Sequence, residues 1–128
     1  MASSFEYLID NNVISEILKG NREVANYVVD LKFAICAIVY IEAVQGSISN
    51  TQKLTIRKLV DNFPLLPITS EISNRAIDLI LKYSNSRGLL LADALIAASS
   101  IENNLTVLTY NINDFRFIEG LRCLKPIV

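Results

Sequence analysis

Residues 91–109 read Leu91-Ala92-Asp93-Ala94-Leu95-Ile96-Ala97-Ala98-Ser99-Ser100-Ile101-Glu102-Asn103-Asn104-Leu105-Thr106-Val107-Leu108-Thr109, and this stretch decides the fold class. Helical spacing runs over about 91–103, and a short apolar strand at 106–109 follows at once. A helix feeding directly into a strand is the repeating unit of a mostly parallel sheet. The greasiest part, residues 89–98, is too short to cross a membrane and carries Asp93 at its centre. An aspartate in so apolar a run faces partial desolvation unless something pairs with it.

The alternation extends outward to both ends of the chain. Strands are predicted over 6–9, 33–36 and 65–68, with a candidate fifth over 123–127. Pro67 places the 65–68 strand at a sheet edge. Helices are predicted over 13–19, closed by Gly20, and over 22–31, with Val24, Tyr27, Val28 and Leu31 on one face. Another starts near Ile38 and ends at Gly46. A helix over 51–62 should turn Leu54, Leu59 and Val60 inward. Ser70 should cap the longest helix, which breaks at Ser84-Asn85-Ser86-Arg87-Gly88. The expectation is one domain over residues 1–128, a three-layer α/β/α unit whose central sheet has four to five strands.

Composition then bounds the chemistry. The chain has 128 residues, 52% hydrophobic and 20% charged, which excludes disorder. A mean hydropathy of +0.37 points to surface buried against a partner or a second copy. Twelve basic against thirteen acidic residues give a net charge of −1, so bulk positive charge cannot be what holds a nucleic acid. Metal-dependent attack on a phosphodiester stays open, because the cation brings its charge with it. With no histidine, imidazole triads and imidazole zinc sites are excluded. Cys36 and Cys123 form no CxxC and fit reduced thiols in the cytoplasm. The opening Met1-Ala2-Ser3-Ser4-Phe5-Glu6 lacks the basic start of a signal peptide.

Catalysis must therefore come from carboxylates, hydroxyls, amides, Lys and Arg. Asp10 follows the first strand, Glu42 lies near the start of the helix after the second, and Asp93 is in the first turn of the helix before the fourth. Asn111 and Asp114 follow that fourth strand. All map to the edge where open α/β sheets bind ligands. Any one acid at a helix start is explained by the macrodipole, worth about 0.3–1 kcal/mol. That does not explain why Asp10 and Asp93 are pressed into apolar surroundings. Several carboxylates sharing a cleft need a cation, and hard oxygen donors suit Mg²⁺ or Mn²⁺.

The pattern resembles the PIN domain, most closely the VapC-type ribonuclease toxins. The residues that carry the resemblance are Leu8-Ile9-Asp10-Asn11-Asn12-Val13, Ile41-Glu42-Ala43-Val44-Gln45-Gly46, Leu91-Ala92-Asp93-Ala94-Leu95-Ile96-Ala97-Ala98 and Leu108-Thr109-Tyr110-Asn111-Ile112-Asn113-Asp114-Phe115. The resemblance implies that Asp10, Glu42 and Asp93 hold Mg²⁺ or Mn²⁺ for water attack on an RNA phosphate. It further implies that Asn12 orients Asp10 or a water, and that Thr109 bonds at the rim of the site. It implies a homodimer, an inhibitory antitoxin, and products with 5′-phosphate and 3′-hydroxyl ends. The chain departs from the family at Asn11, where Thr or Ser is usual, at Ala37, where Ser is common, and at neutral Asn111. Either Asn111 or Asp114 completes the catalytic set, and one or two ions are compatible with it.

Arg87, Arg116 and Arg122 sit near the expected cleft, as phosphate contacts or as solvated surface charge. Tyr110 is a stacking platform for a base or a core residue. Two other readings exist. A phosphorelay receiver shares the Thr109 and Lys125-Pro126 features, but 65–69 offers no phosphoacceptor aspartate. A catalytically inactive PIN-fold scaffold is the alternative to the enzyme, and the intact Asp10, Glu42 and Asp93 argue against it.

Overall fold

A computed structural model describes residues 4–128; Met1-Ala2-Ser3, part of the segment read against a signal peptide, lie outside the described residues. Five parallel strands form one sheet in the order β3-β2-β1-β4-β5: β1 (Tyr7–Ile9), β2 (Phe33–Cys36), β3 (Leu65–Leu66), β4 (Thr106–Leu108) and β5 (Arg122–Leu124). The helices are α1 (Asn11–Leu18), α2 (Arg22–Val29), α3 (Ala37–Gln45), α4 (Asn50–Val60), α5 (Ser70–Arg87) and α6 (Leu91–Asn103). Together they make a three-layer α/β/α fold with β1 at its centre. No helix among the described residues is long and apolar enough to cross a membrane.

The central strands are short and apolar because both faces are covered. Leu8, Ile9, Ala34, Ile35, Cys36, Val107 and Leu108 are buried. All of these but Ala34 form one core cluster with Val13 and Ile14 of α1, Val39 of α3 and Ile96 of α6. Residues Ala94 and Ile96 through Ser100 are all buried, since small side chains let α6 lie close on its neighbours. Ser99 and Ser100 satisfy their hydroxyls on the backbone carbonyls of Leu95 and Leu105. Cys36 is buried and Cys123 half-buried, both as free thiols.

The chain steps from β1 through β2 to β3 on one side, then crosses to β4 and β5 on the other. Tyr7, Leu8 and Ile9 register against Thr106, Val107 and Leu108. The strand order therefore reverses between β1 and β4, and a crevice opens at their carboxyl ends. β3 is an edge strand, as expected, but it ends at Leu66, so Pro67 lies just beyond it rather than inside it.

Several details differ from the sequence reading. Leu54 is 58% exposed, because Ile56 and Val60 take the inward face of α4 and Leu54 lies about 200° round from Ile56. α2 stops at Val29 rather than Leu31. Thr69, not Ser70, caps α5, accepting from the amide of Ile72 at 3.2 Å. α5 also continues through Ser84-Asn85-Ser86 to Arg87. It ends only at Gly88, whose φ of +69° reverses the chain at little strain.

Candidate active site

Asp10 leaves β1 at the crevice and caps α1, one carboxylate oxygen accepting the Asn11 amide at 2.7 Å. Its other oxygen accepts the Thr109 hydroxyl at 2.8 Å. Thr109 follows β4 and is wholly buried. It also accepts from the Asn12 side-chain amide at 3.1 Å and from the Asn111 backbone N–H at 3.0 Å. The Asn12 carbonyl oxygen in turn accepts the Tyr110 amide at 3.2 Å. One hydroxyl thus ties the start of α1 to the end of β4. Thr109 is not at the rim of the site but beneath it, and Asn12 acts on Asp10 through Thr109.

The remaining acids come from three other elements. Asp93 occupies the first turn of α6 and is half-buried. Asp114 is exposed on a single 3₁₀ turn (Ile112–Asp114) after β4. Glu42 is the sixth residue of α3 rather than near its start, because α3 begins at Ala37 directly after β2. Asn111 is exposed and enters the network through its backbone.

Their electrostatics interlock. Burial pushes the Asp93 carboxyl up to about 6, and the charges of Asp10, Asp114 and Glu42 add to the effect. Burial also raises Asp10; the Thr109 hydroxyl and the Asn11 amide oppose this, and Asp114 adds to it. Glu42 is raised by burial first and by Asp10 second. Asp93 therefore feels Asp10, Asp114 and Glu42 as like charges, on top of its own burial. Among the described residues no three are drawn together as a ready ligand shell. As a donor set of carboxylate oxygens with mutual repulsion to relieve, they fit a hard divalent cation.

The weaker substrate candidates separate. Arg122 lies at the opposite edge of the sheet: β5 begins with it, in register with Thr106, and its guanidinium bonds Thr106 and Asn104. The sequence reading started that strand one residue later and left Arg122 in the preceding loop. Arg87, at the end of α5, stacks over the Phe117 ring at 5.7 Å. Arg116 is exposed, and its charge acts on the Cys123 thiol. Tyr110 is half-buried and lines an open groove of about 480 Å³ with Asn12, Ser15, Glu16, Lys19 and Asn21. The sequence resemblance marks Thr109 as a hydrogen-bonding residue of the site, but its joining of α1 to β4 depends on the pairing of β1 with β4.

The PIN-domain family profile matches residues 7–120. Ribonuclease VapC10 of Mycobacterium tuberculosis (strain H37Rv) is 27% identical over 120 residues, covering 90% of each chain. A toxin–antitoxin complex from Klebsiella pneumoniae contains a chain that superposes with a TM-score of 0.78 at 27% identity. That match covers 94% of this chain and 98% of the other. VapBC2 from Rickettsia felis, bound to a promoter DNA fragment, shares the fold at TM-score 0.77 and 22% identity, covering 93% and 97%.

Proposed function

The chain belongs to the PIN-domain family, and from that premise we propose that it is a metal-dependent endoribonuclease acting in the cytoplasm as the toxin of a toxin–antitoxin pair. What supports this reading is that Asp10 sits at the strand-order reversal and that its charge, with those of Glu42 and Asp114, reaches Asp93. Similarity to a ribonuclease and to a chain of a toxin–antitoxin complex supports the substrate class and the kind of partner.

Asp10, Glu42 and Asp93 are the residues assigned to hold Mg²⁺ or Mn²⁺, with Asp114 or Asn111 completing the site. The cation supplies the positive charge that brings a phosphodiester to an acidic cleft and acidifies water for attack. The chain's own part is positioning. Thr109 fixes one Asp10 oxygen by a hydrogen bond, the Asn11 amide fixes the other, and Asn12 locks Thr109. Asp93, drawn up to about 6, is ionised at neutral pH at a cost that a bound cation would relieve; below pH 6 the cation would have to displace its proton. Tyr110, in the groove beside Asn12, is the candidate for stacking on a base.

Exposed Ile77 and Leu81 on α5, with Leu90 and Leu91 at the start of α6, supply apolar surface for a homodimer or an antitoxin. A direct test incubates purified protein with total RNA in Mg²⁺ or Mn²⁺ and maps the ends. Discrete cuts with 5′-phosphates, lost in EDTA and in Asp93→Asn, are expected. Cleavage that survives both controls refutes the assignment.

A further inference from the structure

A cluster outside the acidic crevice ties the end of α5 to the loop that carries Asp114. The Tyr83 hydroxyl accepts the Glu119 amide at 3.2 Å, and the Tyr83 ring meets Phe117 edge-on with centroids 5.2 Å apart. Lys82 reaches the Glu119 carboxylate at 3.2 Å and lies over the Tyr83 ring. Arg87 covers the Phe117 ring. On the core side the same loop is anchored by Phe115 and Ile118, both buried.

The two segments joined here are those that bear two of the acids. α5 ends at Arg87, turns at Gly88 and enters α6, where Asp93 sits in the first turn. The loop runs from the Asp114 turn through Phe117 to Glu119. From this geometry we infer that Tyr83 and Phe117 are positioning residues that set the separation of Asp114 from Asp93. The inference rests on the metal-dependent reading above. The buried Phe115 and Ile118 hold the loop against the core, and the Tyr83–Phe117 contact fixes it sideways toward the α5–α6 corner. Arg87 belongs to this clasp and packs on Phe117 as its outer cover. An isolated surface contact of one ring on another would do nothing for the crevice. Here the backbone amide bonded by Tyr83 lies only five residues beyond Asp114, across two tight turns.

The test titrates Mn²⁺ calorimetrically into the full chain as wild type, Tyr83→Phe, Phe117→Ala and, as a remote control, Arg75→Gln, which breaks the Arg75–Glu102 pair. RNA cleavage is followed against both metal and RNA concentration. Supporting residues around metal ligands typically change affinity by about tenfold or more, and a weakening of about tenfold is expected for Tyr83→Phe and Phe117→Ala. The KM for RNA and the unfolding midpoint of Tyr83→Phe should stay close to wild type, and Arg75→Gln should bind Mn²⁺ as wild type does. If wild type binds Mn²⁺ and cleaves while Tyr83→Phe and Phe117→Ala keep its metal affinity, the clasp has no positioning role. If wild type itself neither binds Mn²⁺ nor cleaves, the metal-dependent reading fails and the inference fails with it.

Discussion

Replacing Thr109 with valine keeps the side-chain volume and removes one hydroxyl from the buried junction of α1 and β4. That hydroxyl donates to ionised Asp10 at 2.8 Å and accepts from Asn12 at 3.1 Å and from the Asn111 amide at 3.0 Å. A hydrogen bond to a charged group contributes about 1.5–3 kcal/mol and a neutral one about 0.5–1.5 kcal/mol. Asn111 is exposed, so its amide recovers part of its loss from water. Asp10 is only 7% exposed and recovers little. The expected loss is about 3 kcal/mol, on the order of 10 °C in Tm for a chain of this size. The Thr109 bond favours the ionised carboxylate, so the deficit is largest at neutral pH and shrinks as pH falls and Asp10 takes up a proton. Urea unfolding of the metal-free protein at pH 7 and pH 4, with Thr109→Ser as the variant that keeps the hydroxyl, measures both effects. A Thr109→Val loss below about 1 kcal/mol at pH 7 would refute the junction as described.

Further outcomes follow from the same geometry. Asp93 is raised from 3.8 to about 6, so at this site the native state binds a proton more readily than the unfolded chain; its contribution to metal-free stability is full below about pH 4 and is lost as pH rises through 6. Asp93→Asn removes that penalty and should stabilise the metal-free protein at pH 7.5 by about 1–2 kcal/mol after solvent screening, with no gain at pH 3.5, as read by chemical denaturation. Asn12→Ala loses the contacts to Thr109 and to the Tyr110 amide and should cost about 1–2 kcal/mol in the same assay, with a larger fall in cleavage rate than in RNA affinity. Arg122→Gln, at the far edge of the sheet, should leave RNA cleavage within twofold of wild type in an initial-rate assay.

Much of this architecture is written locally in the chain. β2 and α6 fall at the predicted residues because an apolar run and a strong helical period leave no competing reading. Asp10 and Asp93 stood out because each is a carboxylate in an apolar run, and the structure accounts for this by placing both at the crevice. What escaped notice depends on contacts distant in sequence. Thr109 gains its junction role only when β1 pairs with β4, bringing it beside Asp10 and Asn12. α5 runs through Ser84-Asn85-Ser86, residues that favour breaks, because Tyr83 and Arg87 pack on Phe117 at its end. Arg122 lies away from the crevice because β5 runs parallel to β4, which puts the residues at its start at the amino end of the sheet. Leu54 was misplaced by helix phase, which apolar content alone does not set in a helix with only one well-packed side.

If Asp10, Glu42, Asp93 and Asp114 act as one cation site, metal binding and stability must be linked through all four. Mn²⁺ added to the purified protein at pH 7 while unfolding is followed tests this most directly, with Asp10→Asn, Glu42→Gln, Asp93→Asn and Asp114→Asn alongside wild type. Mn²⁺ should raise the wild-type midpoint, Asp10→Asn and Asp93→Asn should abolish the rise, and Glu42→Gln and Asp114→Asn should reduce it. A rise of equal size in Asp93→Asn, or none in wild type, would contradict a shared cation site.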